Sequence, residues 1–565
     1  METDTTQIIK SSSKHTEMSI VGNTTISDLP IECFTRIFSF LVEDLSTVFS
    51  ATLVNRTWCR AIMPLLWFDT LTYDHEKGYK IIETLIRCMN EEERKELIDS
   101  GVDYAASCPR PLFLYSAFIK EINWANLEYM VYCDTSYHDE FIPENSIWIK
   151  YFDVENMKEK IVAQLCKLIF RTANLEKLYI QIRYYDVAFL KFMTLPNVSI
   201  ALANLKQVAL HGRRFILEND EFDEYDKYTK DLMNVNDLVL GLKSYSHCIT
   251  FLEVNFDIMI ESAIRHLCDL IESQRHIEHA VFYNFNEKHF SIILALKSKW
   301  NTLVRLEFVH SEVSNWVITL FRNLGTFIKL EAVAFIDCEG YLGSIATVDC
   351  WETPRPKFLR QLYFDSSGIN DILIPLIKIS GITLEKLTVL KGCSDALFSC
   401  IAGYATNLLC LEINLDKLTI PSFLQAIMKL QNLQQLSMLQ ATNIESFSDE
   451  FWIGLSESNI DSLYFNCLLS PQGLTTLLSN QTNPIKRLGL GQAVLLTNQH
   501  FTSMLNFCQK RQIYFSLFLS SYVHLSRYDS SLVEQLKEWV KFVPLKKFDK
   551  YHCFKGSDRY DMKKE

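Results

Sequence analysis

The sequence predicts an α/β fold: a long solenoid of strand–helix units preceded by a small all-α module. Three observations lead there. Apolar residues recur as a ladder, spaced by two residues and then by one, twelve times between Leu175 and Leu490. Between ladders the apolar period switches from two toward 3.6, as a strand followed by a helix requires. Residues 26–70, ahead of the ladder, carry three helical stripes in succession. A chain of 565 residues is also too long for one compact core, so several domains or a repeating architecture is required.

Composition narrows the class. Hydrophobic residues make up 48% and charged residues 22%, the balance of a folded chain and not of a disordered one. The net charge of −12 comes without long single-sign blocks and argues against a nucleic-acid partner. Sixteen cysteines are scattered from Cys33 to Cys553 with no CxxC pair, so they read as reduced, buried thiols and not as a disulfide or zinc framework. Residues 1–25 are polar and Ser/Thr-rich, a disordered tail with no apolar signal core. No run approaches the ~18 apolar residues of a membrane span. The expectation is a cytoplasmic and/or nuclear protein with no membrane partner.

The helical module comes first. Pro30 suits the opening turn of a helix, where its missing N–H is unpaired in any case. Phe34, Ile37, Phe38 and Leu41 then form an apolar face. Asp44 and Ser46 offer a second start, with Leu45, Val48 and Phe49 on the apolar side. A third helix is expected to hold Leu53, Val54, Trp58 and Ile62 and to stop at Pro64, ahead of Leu66 and Trp67. So small a unit cannot bury this much apolar bulk within itself. The surplus must face a neighbouring domain or a partner.

The ordered set Leu29-Pro30-x-Glu32, Ile37-Phe38, Leu41, Asp44-Leu45, Leu53-Val54-Asn55-Arg56-x-Trp58, Pro64 and Trp67 resembles the F-box motif. The resemblance implies a module that docks onto a Skp-family adaptor and through it onto the cullin of an SCF ubiquitin ligase. It carries the adaptor-binding signature onto Leu29, Pro30, Ile37, Leu41, Leu45, Val54, Trp58 and Trp67. Some of these would face the adaptor and others would hold the module together.

The ladder occupies residues 171–520. It begins with Leu175/Leu178/Ile180, continues through triplets such as Leu306's and Leu411's, and ends with Ile485/Leu488/Leu490, with a weaker rung at Ile513 to Leu519. Successive rungs are 24 to 30 residues apart, except for one step of 44. This period is similar to that of leucine-rich repeats, about 20–29 residues, and the resemblance implies a horseshoe-shaped solenoid. The Asn or Cys expected three residues past each rung is mostly missing, with Cys338 a rare fit. The 44-residue step contains an acidic stretch, residues 217–231, expected to be an inserted loop, and a second loop is expected from Gly340. Pro421 and Ser470-Pro471 mark helix starts between rungs. Residues 71–170 read as a helical linker with degenerate capping repeats, because Ile119/Ile122/Trp124 lies 56 residues, two periods, before Leu175. In 521–565 a capping box at Ser531 and Glu534 is expected to start a helix that closes the last repeat.

A search for reactive constellations returns nothing with the required context. His276-Ile-Glu-His279 is not HExxH and falls at a strand start, where a solvent-facing position is expected; Gly489-Leu-Gly491 lacks a third glycine. No catalytic residue, metal site or cofactor is expected. Binding is expected instead on the concave strand face, with Tyr179, Arg305, Glu307, Arg360, Tyr363 and Lys386 as candidate contacts to a target protein of unknown identity, and with Gln435 and Ser437 among the further variable positions. The function these features point to is a non-catalytic, substrate-recruiting adaptor of an SCF-type ubiquitin ligase. The alternative is a repeat scaffold acting outside any ligase.

Overall fold

The computed structural model describes residues 29–544 apart from positions 43, 194, 196, 416 and 482 and the segments 72–77, 103–108, 133–154, 183–192, 213–223, 341–355, 366–369, 441–446, 492–493 and 521–522. Three helices open it: α1 (Ile31–Ser39), α2 (Leu45–Thr52) and α3 (Arg56–Trp67). Asp44 caps α2 by accepting from Thr47 N at 3.1 Å, and Asn55 caps α3 by accepting from Trp58 N at 2.9 Å. Each cap satisfies an amide that the helix start leaves without a partner. Phe34, Phe38, Val48, Ala51, Ala61 and Ile62 form the module's core, closed by the Trp58 ring at 5.1 Å from that of Phe38.

The third helix differs from expectation at both ends. Leu53 and Val54 lie outside it, because the Asn55 cap sets its start. Pro64 does not stop it, and the helix runs on to Trp67. A proline inside a helix costs about 3 kcal/mol. Here it is offset by Leu65 and Leu66, which continue onto the module core, and by Trp67, which reaches the repeat domain.

The rest of the described chain is a parallel sheet with helices between its strands. Its fifteen strands are β1 (Glu121–Asn123), β2 (Lys177–Ile182), β3 (Gln207–Gly212), β4 (Phe251–Asn255), β5 (His279–Tyr283), β6 (Arg305–Val309), β7 (Ala332–Ile336), β8 (Gln361–Asp365), β9 (Lys386–Val389), β10 (Cys410–Leu415), β11 (Gln435–Gln440), β12 (Ser462–Asn466), β13 (Arg487–Leu490), β14 (Phe515–Leu519) and β15 (Val540–Pro544). They are hydrogen-bonded in chain order, each parallel to the next. The register aligns the middle ladder residues, Leu178 beside Val208 and so on to Leu488 beside Leu517, and all of them are buried. The third ladder position supplies a stacked aromatic spine, with Phe308, Phe335 and Phe364 centroids 5.5 and 5.2 Å apart.

The helices cover the ladder side of the sheet, where strand and helix residues share one core. Helices pack 8–10 Å apart, about twice the ~4.8 Å between strands. The strand face is therefore the inner, concave one. The position three residues past the rung is filled in part. Cys338 Sγ donates to Phe308 O at 3.4 Å, and Ser311 Oγ accepts from Phe285 N at 3.0 Å. All twelve described cysteines are free thiols.

The two ends and the insertion depart from expectation. β1 pairs directly with β2, so the 56-residue step is one long repeat and not two. At the other end the helix Ser530–Lys537 is capped by Asp529, and Trp539 lies beyond it. This helix does not close the sheet, because β15 follows and pairs with β14. Part of the expected acidic loop is helical, since a helix spans Glu224–Tyr245; the loop after Gly340 lies outside the described residues. Among the described residues no helix is long and apolar enough to cross a membrane.

The module is joined to the sheet through main-chain bonds. Lys120 N and Glu121 N donate to Phe68 O at 3.0 and 3.2 Å, and Asn123 N donates to Leu71 O at 3.3 Å. The Trp67 ring lies 4.6 Å from that of Tyr115. The chain leaving α3 thus covers the outer edge of β1, an edge that would otherwise present unpaired amides.

Candidate protein-interaction surfaces

The helical module leaves many of its large apolar residues facing solvent. Leu29, Ile31, Ile37, Phe40, Leu41, Val42, Phe49, Leu53 and Val54 are all exposed. These nine lie within 26 consecutive positions, against sixteen exposed large hydrophobics in the remaining described residues. The helical period produces the split. Phe34 and Phe38 turn inward from α1, while Ile37 turns outward; Leu41, in the turn past the helix end, is exposed as well. Apolar exposure this concentrated makes the module a candidate interaction surface.

The eight residues singled out for the adaptor divide accordingly. Leu29, Pro30, Ile37, Leu41 and Val54 are exposed. Trp58 belongs to the module core, and Trp67 packs at the junction with the repeats. Leu45 begins α2, and its side chain lies outside the described residues. Phe40, Phe49 and Leu53 join the exposed set. The sequence signal for them was apolar bulk with no inward position to fill.

On the concave face the sheet aligns alternate side chains in rows. Tyr179 Oη donates to Gln207 Oε1 at 3.3 Å. Glu307, 4% exposed, faces His279 Nε2 at 2.7 Å and accepts from Arg305 Nε. Burial pushes the Glu307 carboxyl up, but the His279 hydrogen bond and the Arg305 charge outweigh it and hold it below the usual carboxylate range. Two strands away Glu253 accepts from Tyr283 Oη at 2.9 Å and lies 3.1 Å from His211 Nε2. Burial raises the carboxyl of Glu121 even though Lys177 contacts it.

These contacts revise the expected target set. His279 is half-buried and bonded to Glu307, so it is not the solvent-facing residue its motif implied; His276 is exposed. Arg360 sits in the turn entering β8, 3.6 Å from Glu385, and not in the concave rows. Tyr363 is half-buried against Ala332, Ala334 and Cys410. Lys386 is half-buried on β9 and makes no ion pair among the described residues. The Glu253 cluster was not anticipated, because its members are far apart in sequence and meet only through the strand register.

Burial pushes the half-buried Cys393 and the buried Cys467 thiols up to about 12. Such thiols are poor nucleophiles.

No family model matches the chain, and no curated protein matches it. A solved structure titled as the complex of Rad7 and Elc1 in yeast is similar at 13% identity, covering 72% of this chain and 99% of that one, with a TM-score of 0.35.

Proposed function

We propose that this chain is the substrate-recruiting subunit of an SCF-type ubiquitin ligase, with no active site of its own. The α1–α3 module acts as an F-box. It grips a Skp-family adaptor and through it a cullin, while the concave face of the repeats holds a target protein. Positioning is the mechanism: bringing the charged ubiquitin carrier beside the target's lysines raises their effective concentration. The observation that carries this reading is the outward apolar patch on a module whose residues follow the F-box order, with Leu29, Pro30, Ile37, Leu41 and Val54 all exposed within it.

A pull-down with a purified Skp-family adaptor tests it. The full chain is expected to retain the adaptor, and a variant carrying Leu29→Ala and Pro30→Ala to lose most of it. Absence of binding, or indifference to those changes, removes the ligase reading. Adaptor binding that never recruits a cullin leaves a repeat scaffold acting outside any ligase.

A further inference from the structure

The two halves of the concave face differ in how far their side chains satisfy one another. From β1 to β6 the polar groups pair internally: Lys177 with Glu121, Tyr179 with Gln207, Glu253 with His211 and Tyr283, Glu307 with His279 and Arg305. On β10 and β11 they do so only in part: Glu412 accepts from Thr388 Oγ1 at 3.1 Å, while three neighbouring groups find no partner. Asn414 Oδ1, Gln435 Nε2 and Ser437 Oγ are buried and make no hydrogen bond. Gln435 is 7% exposed and Ser437 0%, so the shortfall cannot be assigned to contact with bulk water.

The register brings these atoms together. Gln435 and Ser437 are two apart on β11 and share a face, about 6.6 Å from one to the next. Ser437 lies beside Glu412, and Asn414 follows Glu412 on the same face of β10. The trio offers one acceptor, Asn414 Oδ1, and two donors, Gln435 Nε2 and Ser437 Oγ. A peptide amide carries the complementary pair, an N–H and a C=O.

Charge identifies the rest. Lys386, Arg487 and Lys541 occupy the first register row on β9, β13 and β15. Neither Lys386 nor Lys541 forms an ion pair among the described residues. Between β12 and β14 the middle row of the face is apolar: the Tyr464 ring packs with Phe518 and lies over Gly489, where a Cβ would come within 2.5 Å of it, while the row before it holds Arg487, which donates to Ser462 Oγ at 2.9 Å. The chain's own residues 545–565 carry seven lysines and arginines against four carboxylates, so their charge does not complement this surface.

We propose that the β9–β15 half of the concave face binds an extended, acidic segment of the target protein. Its main-chain amides engage Asn414, Gln435 and Ser437, and its carboxylates meet Lys386, Arg487 and Lys541. The inference rests on the target-recruiting reading above and names the chemistry of what is recruited.

The test uses the full chain and a fluorescein-labelled peptide of alternating Glu and Asn, about twelve residues long, enough to cross the ~29 Å spanned by seven strands. Lys-Asn and Ser-Gly peptides of the same length serve as comparisons, and fluorescence anisotropy is the readout. The acidic peptide is expected to bind, to weaken with added salt, and to lose ~10-fold or more in affinity in a Lys386→Glu, Lys541→Glu variant. Ser437→Ala separates binding from folding. Removing a hydroxyl that has no partner leaves the melting temperature unchanged or higher, while affinity falls ~5-fold. A lower melting temperature with unchanged affinity would give Ser437 a structural role and overturn the proposal. So would acidic-peptide binding no tighter than that of the Ser-Gly peptide, or tighter binding of a synthetic 545–565 peptide. The adaptor pull-down on the same preparations keeps the two readings apart. Adaptor binding without peptide binding removes this inference alone, whereas loss of adaptor binding removes the ligase reading.

Discussion

Ile37 and Phe38 are neighbours in sequence with opposite duties, and truncating each to alanine separates docking from folding. Ile37 is 47% exposed and Phe38 is 4% exposed. Docking would cover about 60 Å² of apolar area that Ile37→Ala removes. At about 25 cal/mol per Å² this amounts to ~1.5 kcal/mol, or roughly tenfold in Kd. The same change costs the fold little, because that side of α1 is already wet. Phe38→Ala instead empties a space between Phe34 and Trp58, whose rings lie 6.3 and 5.1 Å away. Such truncations cost about 3–5 kcal/mol, enough to melt a module this small. Calorimetric titration against a Skp-family adaptor, paired with thermal melts followed by circular dichroism, reads both quantities. Ile37→Ala should melt as the parent does and bind about tenfold more weakly. If it binds as the parent does, or melts as early as Phe38→Ala, the division of α1 into outer and inner faces is wrong.

Three further outcomes are expected. Glu307→Gln should destabilise the repeats by roughly 2–4 kcal/mol in denaturant titrations, because it leaves Arg305 and His279 facing a neutral group at a buried position. Since the folded-state carboxyl is held below its unfolded value of about 4.5, its contribution is present above that value and is lost as pH falls through the lower folded one. Glu307→Gln should therefore flatten the acid limb of the stability curve below about pH 4.5. His289 acts in a different window. Burial, with the Lys288 charge adding to it, pulls this imidazole down to about 4, so its neutral Nδ1 accepts from Asn286 N. The unfolded chain takes the proton near pH 6.5 and the folded chain only near 4, so stability falls as pH drops between those values. His289→Gln should remove up to about 2 kcal/mol of that dependence, after allowance for solvent screening, in melts between pH 7 and about 5. Lastly, Trp67→Ala removes the ring that rests on Tyr115. Limited proteolysis should then cut between the module and β1 sooner, while adaptor affinity stays unchanged.

The ladder was legible because burial repeats. Each strand must point two or three residues at the same core, so Leu411, Leu436 and Leu463 recur 25 and 27 residues apart and meet in one register. The helix start at Ser470 was readable as well. Ser470 precedes a proline and accepts from Gly473 N, a local arrangement that sequence displays. Pro64 was misread because a local rule lost to tertiary packing: Leu65, Leu66 and Trp67 each find a buried neighbour only if α3 continues. The spacing of Ile119 from Leu175 fitted two periods by arithmetic, but strand pairing leaves no strand between β1 and β2.

The sequence by itself determined that twelve or more units stack and that the module carries more apolar bulk than it can bury. Both follow from counting apolar residues against the space one unit has, and neither needs coordinates. Only the tertiary structure decided which side chains are spent internally and which remain for a partner. Glu307 and Tyr179 were equivalent to Ser437 as variable positions between rungs. The register gave the first two polar partners and left the hydroxyl of the third without a hydrogen bond. Satisfaction of a polar group depends on what lies across the strand, about 4.8 Å away in space and some 25 residues away in sequence.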